Sequence, residues 1–278
     1  MSVAAGSTAV AAEHQGGSGP PLLLLHGMTA TFRIWAPVLP GLEAHHHVIA
    51  PTLAGHYGAP GLAPGVTASI ESLTDRLEAR LDELGIDRLH VAGNSLGGRL
   101  ALELARRGRA RTVVAFSPPA AWRSPRDLAA VTRLVLLGHL AAGWSGEHVR
   151  PLLARPRSRQ LLLGVAVEHG ERVPPGAAQE MLSENAGCAI VREFMKSVTG
   201  PMTEPLEPPD CPIRIAWPVK DRTVPFERFG EPLMELLPGG ELVRLPGVGH
   251  VPMYDDPGLV VRTITEFAIP RDGFEDKE

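Results

Sequence analysis

The sequence predicts an α/β fold built on a mostly parallel, doubly wound sheet, and three features of the chain predict it. Short apolar runs recur at 22–25, 48–50, 112–116, 213–217 and 241–245, with another entering the stretch 89–98. Their length and continuity suit strands buried on both faces. Helical patterns separate most of these runs, and strand–helix–strand order implies parallel pairing through right-handed crossovers. A length of 278 residues accommodates one large α/β domain with an insertion.

The elements follow in order. A weakly alternating segment at 8–12 is expected to form an edge strand, and Gly16-Gly17-Ser18-Gly19-Pro20 to turn the chain into the run at 22–25. That run breaks at His26-Gly27-Met28-Thr29. Apolar residues at mixed spacing over 32–42, interrupted by prolines, predict a short crossover helix before the strand at 48–50. The Gly- and Pro-rich span 58–65 reads as a loop. Ile70, Leu73, Leu77, Leu81 and Leu84 then recur at helical spacing, with Ser69 as N-cap and Gly85 as stop. After the strand into Ser95 come a helix over 96–107 closed by Gly108 and a strand at 112–116.

From 118 to about 200 the rhythm changes to helical stretches, such as 128–140 and 189–198, without a strand. The strand pattern resumes at 213–217, followed by a helix near 227–237 and a last strand at 241–245. A terminal helix over 257–267 starts at Pro257 with Asp255 or Asp256 to cap it, and the polar tail 271–278 is expected to be loose. The chain therefore divides into a core, first part (1–118), a helical cap insertion (119–200) and a core, second part (201–278).

Composition narrows the partners. With 44% apolar and 21% charged residues and a net charge of -4, nothing calls for nucleic acid or an anionic membrane. No apolar run approaches the ~20 residues of a membrane span, and 1–19 lacks the basic and leucine-rich parts of a secretory signal. The expected setting is the cytoplasm, with a small-molecule substrate. Cys188 and Cys211 lie outside any C-x-x-C motif and are expected to be buried thiols. His45-His46-His47 is expected to be solvated rather than metal-binding, because adjacent residues on an extended segment point to opposite faces.

Gly93-Asn94-Ser95-Leu96-Gly97 carries the chemistry. A serine on a tight strand-to-helix turn needs small flanking residues, and the following helix points its first N–H groups at any oxyanion the serine creates. Read structurally, the same pentapeptide is a tight packing turn. Serine needs a base, and the base needs an acid to hold its tautomer. Asp221 follows the strand at 213–217, and His250 follows the strand at 241–245. In a parallel sheet those strand ends share the edge on which Ser95 sits. The alternatives are an Asx turn for Asp221 and a capped loop residue for His250.

The chain order Ser95, Asp221, His250, together with His26-Gly27-Met28, resembles the α/β-hydrolase superfamily, specifically single-domain esterase-like members with a helical cap. The resemblance covers 21–118 and 212–268. It implies Ser95 as nucleophile, His250 as general base, Asp221 as orienting acid, the amides of Met28 and Leu96 as oxyanion hole, and no cofactor. His26 is expected to brace the oxyanion loop, and Gly27, Gly93, Asn94 and Gly97 to support the site. Thr52 departs from the acidic residue usual in such relatives.

The implied reaction is hydrolysis of a carboxylic ester or related acyl bond. Aliphatic residues near 134–140 and 161–167 suggest a mostly apolar substrate. Two rivals use the same triad, a C–C bond hydrolase of diketones and a cofactor-free haloperoxidase or perhydrolase. The first is favoured by Gly93-Asn94-Ser95 and Asp221 to Pro225, and opposed by Val251 where those enzymes usually carry tryptophan. A non-catalytic ligand-binding protein on the same scaffold is the alternative of another class.

Overall fold

Leu22, Leu23, Leu24 and Leu25 have no polar member to turn outward, and all four are buried, because their strand lies inside a sheet covered on both faces. The computed structural model describes residues 12–198, 200 and 211–268, without the side chains of 145–148. Its sheet contains β1 (Glu13–Gly16), β2 (Pro21–Leu25), β3 (His47–Pro51), β4 (Leu89–Asn94), β5 (Ala110–Phe116), β6 (Ile213–Pro218) and β7 (Glu241–Leu245). The order is β1-β3-β2-β4-β5-β6-β7, parallel throughout except for β1 against β3. The expected α/β class and mostly parallel, doubly wound sheet are what the chain forms.

Period-2 alternation sends β-strand neighbours to opposite faces. Leu23, Leu25 and Val91 therefore pack with Leu73, Leu77 and Leu81 of α2 (Ile70–Glu83) and Leu100 and Leu104 of α3 (Leu96–Arg106). Leu22, Leu24 and Ala92 pack with Trp35, Leu42 of α1 (Leu39–Glu43), and Val260 and Ile264 of α10 (Pro257–Ala268). Ser69 caps α2 as expected, its side chain accepting from Ser72 N at 3.2 Å while Ser72 returns a bond to Ser69 N.

Between β5 and β6 the described elements are helices: α4 (Pro125–Leu153), α5 (Pro156–Leu163), α6 (Pro175–Ala186) and α7 (Val191–Ser197), plus the short turn Gly170–Arg172. After β6 come a π-turn at Phe226–Gly230 and α8 (Glu231–Leu236), and α9 (Pro252–Asp255) precedes α10. α4 is much longer than the expected 128–140. Pro125 opens it at the first turn, where a missing N–H costs nothing. Most of the expected edge strand at 8–12 lies outside the described residues, as does the tail 271–278; the edge strand described is Glu13–Gly16. Two elements depart from the apolar expectation for 134–140 and 161–167. Leu137, Leu140, Leu161 and Leu162 are exposed, whereas Val135, Leu136, Leu163 and Val167 pack inward.

The first turn of α3 approaches β2 so closely that a Cβ at Gly97 would lie 2.1 Å from Leu25 O, and one at Gly93 would lie 2.2 Å from Gly97 O. Backbone cannot yield as a flexible side chain does, so overpacking here reaches at least the usual cost. Gly97→Ala should lower the unfolding free energy by about 2 kcal/mol or more in urea titration, and an unchanged midpoint would contradict the packing described.

Candidate active site

β4 ends at Asn94 and α3 begins at Leu96, which leaves Ser95 as the whole turn. It adopts φ 55° and ψ -116°, a conformation that costs about 1–3 kcal/mol in a non-glycine residue. The Ser95 amide donates to Phe116 O of β5 at 2.8 Å, which fixes the turn to the neighbouring strand. Ser95 remains partly exposed while Leu96, Gly97 and Gly98 are buried.

The end of β2 forms the facing wall. Leu53 N–H donates to His26 Nε2 at 2.9 Å, so the ring proton sits on Nδ1, which donates to Gly27 O at 2.8 Å. His26 thus links the His26-Gly27-Met28 loop to Leu53 beyond β3. The loop abuts the serine: a Cβ on Gly27 would lie 3.3 Å from Ser95 Cβ. Met28 packs against the core cluster that contains Leu96. Among the described residues the amides of Met28 and Leu96 have no protein acceptor. Two free donors at one strand edge suit an oxygen that gains negative charge.

The other two loops meet directly. His250 Nδ1 donates to Asp221 Oδ2 at 2.7 Å, and both side chains are buried. With Nδ1 engaged by Asp221, Nε2 is the ring nitrogen left to face a proton donor. Asp221 Oδ1 accepts from the amides of Thr223 at 2.9 Å and Val224 at 2.7 Å. The Asx turn and the histidine contact are therefore made by different oxygens of one carboxylate. Asn94 Nδ2 donates to His250 O at 2.9 Å, tying the histidine loop to the end of β4.

Sequence reasoning missed Asp255. Asp256 is the helix cap, accepting from Leu259 N at 2.8 Å. Asp255 is buried elsewhere and accepts from the amides of Gly249 at 2.8 Å, His169 at 2.6 Å and Glu168 at 3.0 Å. It joins the histidine loop to the helical segment between β5 and β6. The available signal was the acidic pair itself, since one helix start has a single cap position. The same segment grips the other loops. Arg222 donates to Gly164 O at 2.8 Å and pairs with Glu168 at 2.7 Å, and Val251 N donates to Ala166 O. Thr31, just past the Met28 loop, donates to buried Glu184 of α6 at 2.6 Å.

The remaining candidates lie apart. His46 is buried, not solvated: its Nδ1 faces Pro20 O at 3.3 Å and its ring meets His90 edge-on. Among the described residues no group of three His, Cys, Asp or Glu side chains is placed to hold a metal ion. Cys188 and Cys211 are buried thiols outside any disulfide, as expected, and burial pushes Cys188 up to about 11. Among the described residues no helix is long and apolar enough to cross a membrane.

A family model described as "Alpha/beta hydrolase family" matches residues 22–263. The chain is 35% identical over 205 residues to the epoxide hydrolase EphH of Mycobacterium tuberculosis, covering 70% of this chain and 92% of the relative. It is 29% identical over 258 residues to a pimeloyl-[acyl-carrier protein] methyl ester esterase of Aromatoleum aromaticum, covering 86% and 94%. The solved structure of a thermophilic esterase from Thermogutta terrifontis superposes with a TM-score of 0.71 at 22% identity, covering 92% of this chain and 91% of that one.

Burial holds several histidines neutral. His26 lies well below its ordinary value, with His56, edge-on at 4.9 Å, as a lesser cause, and burial also pushes His56 and His90 down to about 4. Below pH ~6.5 the unfolded chain takes up protons that the folded protein refuses, so their contribution is complete above 6.5 and is lost toward 4. Burial raises Glu184, which acts in the opposite direction over the carboxylate range. At about 1.4 kcal/mol per unit, His56 alone contributes roughly 3 kcal/mol. Urea midpoints should be level from pH 8 to 7 and fall steadily from 6.5 to 4; a level profile down to pH 4 would contradict neutral burial.

Proposed function

We propose that this chain, which belongs to the alpha/beta hydrolase family, is a serine hydrolase of carboxylic esters or related acyl bonds. The observation that carries the reading is the Asp221–His250 bond, which leaves Nε2 as the free base on the edge shared with the Ser95 turn. In this reading His250 takes the Ser95 proton as Oγ attacks the substrate carbonyl. The amides of Met28 and Leu96 receive the oxyanion, and Asp221 stabilises the imidazolium. Nε2 then protonates the leaving alcohol, and a water activated by the same nitrogen releases the acid and restores Ser95.

Epoxide opening does not suit a serine nucleophile. Ser95 attack on an epoxide carbon would leave an alkyl ether, which an activated water does not hydrolyse; attack on a carbonyl leaves an ester, which it does. Esterase relatives support acyl chemistry. C–C bond cleavage and perhydrolysis keep the same triad and differ in what occupies the space above it. Helices α4 to α7 act as a cap over the strand ends, and the inward Val131, Val135 and Leu136 favour a mostly apolar substrate body.

A fluorophosphonate probe should label Ser95 in the folded protein, and Ser95→Ala should abolish both labelling and turnover. Asp221→Asn should lower kcat by about 10³–10⁴. Among p-nitrophenyl esters, butanoate to octanoate should exceed acetate in kcat/KM. Folded protein that leaves Ser95 unlabelled, or full turnover by Ser95→Ala, would move the chemistry elsewhere.

A further inference from the structure

Arg99 holds a charge that the proposed mechanism does not use. It lies one helical turn after Ser95 on α3. Side chains four apart share a helix face, about 5–6 Å between Cβ atoms, and lean toward the helix N-terminus. That lean carries Arg99 toward the strand-end edge. Its Nη1 donates to Pro119 O, just beyond β5, at 3.4 Å. One long bond is little for a guanidinium with five donors.

The arginines at the end of the same helix and just past it are paired differently. Arg106 pairs with Glu103 at 2.6 Å, and Arg107 pairs with Asp75, Glu78 and Glu103. Among the described residues no carboxylate lies in ion-pair contact with Arg99; Glu71 and Glu103 act on it at longer range. Burial lowers its guanidinium from the usual range. It nevertheless keeps partial exposure, as Ser95 does, while Leu96, Gly97, Gly98 and Leu100 between and beside them are buried. Leu128, Val131 and Val135 of α4 pack on the large core cluster to which Leu96, Leu100, Ala120 and Ala121 belong. A cation taken from water without an acid costs several kcal/mol, and an anionic partner offsets that cost through charge-assisted, bidentate bonds.

We propose that Arg99 binds a carboxylate of the substrate, so that the site takes acyl compounds with an apolar body and an anionic end a few bonds from the reacting carbonyl. This rests on the serine-hydrolase reading and narrows its substrate class. The reaction is unchanged; Arg99 selects which ester is held beside Ser95, and it takes no part in bond making.

Two measurements test it. The first compares p-nitrophenyl hydrogen glutarate with p-nitrophenyl pentanoate. The wild type should favour the charged ester, Arg99→Gln should lower the charged-to-neutral ratio of kcat/KM at least about tenfold, and Arg99→Lys should recover part of it. A ratio that survives Arg99→Gln, or a wild type that favours the neutral ester, overturns the proposal. The second uses Ser95→Ala protein and calorimetric binding of monomethyl glutarate. Binding weakened at least about tenfold by adding Arg99→Gln supports a carboxylate site, whereas no binding, or binding indifferent to Arg99, overturns it. Should Ser95 prove unreactive while this binding depends on Arg99, the hydrolase reading falls and the carboxylate site stands.

Discussion

The site depends on a contact that leaves no room for a side chain. The first turn of α3 lies against the end of β2, with the Cα of Gly97 facing Leu25 O and that of Gly93 facing Gly97 O. Only with both positions bare do the serine turn and the His26-Gly27-Met28 loop share one edge. A Cβ on Gly27 would lie 3.3 Å from Ser95 Cβ, so the loop and the turn are in close contact. Strain at Ser95, held by its bond to Phe116 O, is the local cost of making the strand-to-helix turn within one residue.

A second constraint comes from the segment between β5 and β6. Residues 164–169 are bonded to the Asp221 loop through Arg222 and to the His250 loop through Val251 and Asp255. Ala189 N donates to Gly55 O, and Glu184 of α6 holds Thr31. Loops following β2, β3, β6 and β7 are therefore all tied to the helical segment. Asp255 is central to this, because one carboxylate satisfies three backbone donors from two loops, and burial makes each such bond costly to leave unmade.

Much of this was legible in the sequence because it is written in local chemistry. Gly93 and Gly97 mark close approach, Ser69 marks a helix start, and continuous leucines mark a strand covered on both faces. Asp221 and His250 were legible through position, each just past an apolar run. The edge strand Glu13–Gly16 was not, since a strand with one neighbour is held by backbone bonds to 48–51 and its residues need no apolar pattern. α5 and α6 were missed for a related reason: they sit against other helices and show no clean stripe. The acidic pair at 255–256 marks Asp255 as surplus to capping, but its partners His169 and Glu168, like Thr31 for Glu184, lie too far along the chain to be read from sequence.

The proposed reaction requires Ser95 Oγ to reach the carbonyl carbon, His250 Nε2 to reach Oγ, and the amides of Met28 and Leu96 to reach the carbonyl oxygen. A crystal structure of the protein after reaction with a phosphonate ester tests it most directly. The adduct should have phosphorus bonded to Ser95 Oγ, one phosphonyl oxygen about 2.7–3.1 Å from both amides, and His250 Nε2 turned toward the leaving-group position. An adduct on another residue, or a phosphonyl oxygen directed away from those two amides, would contradict it.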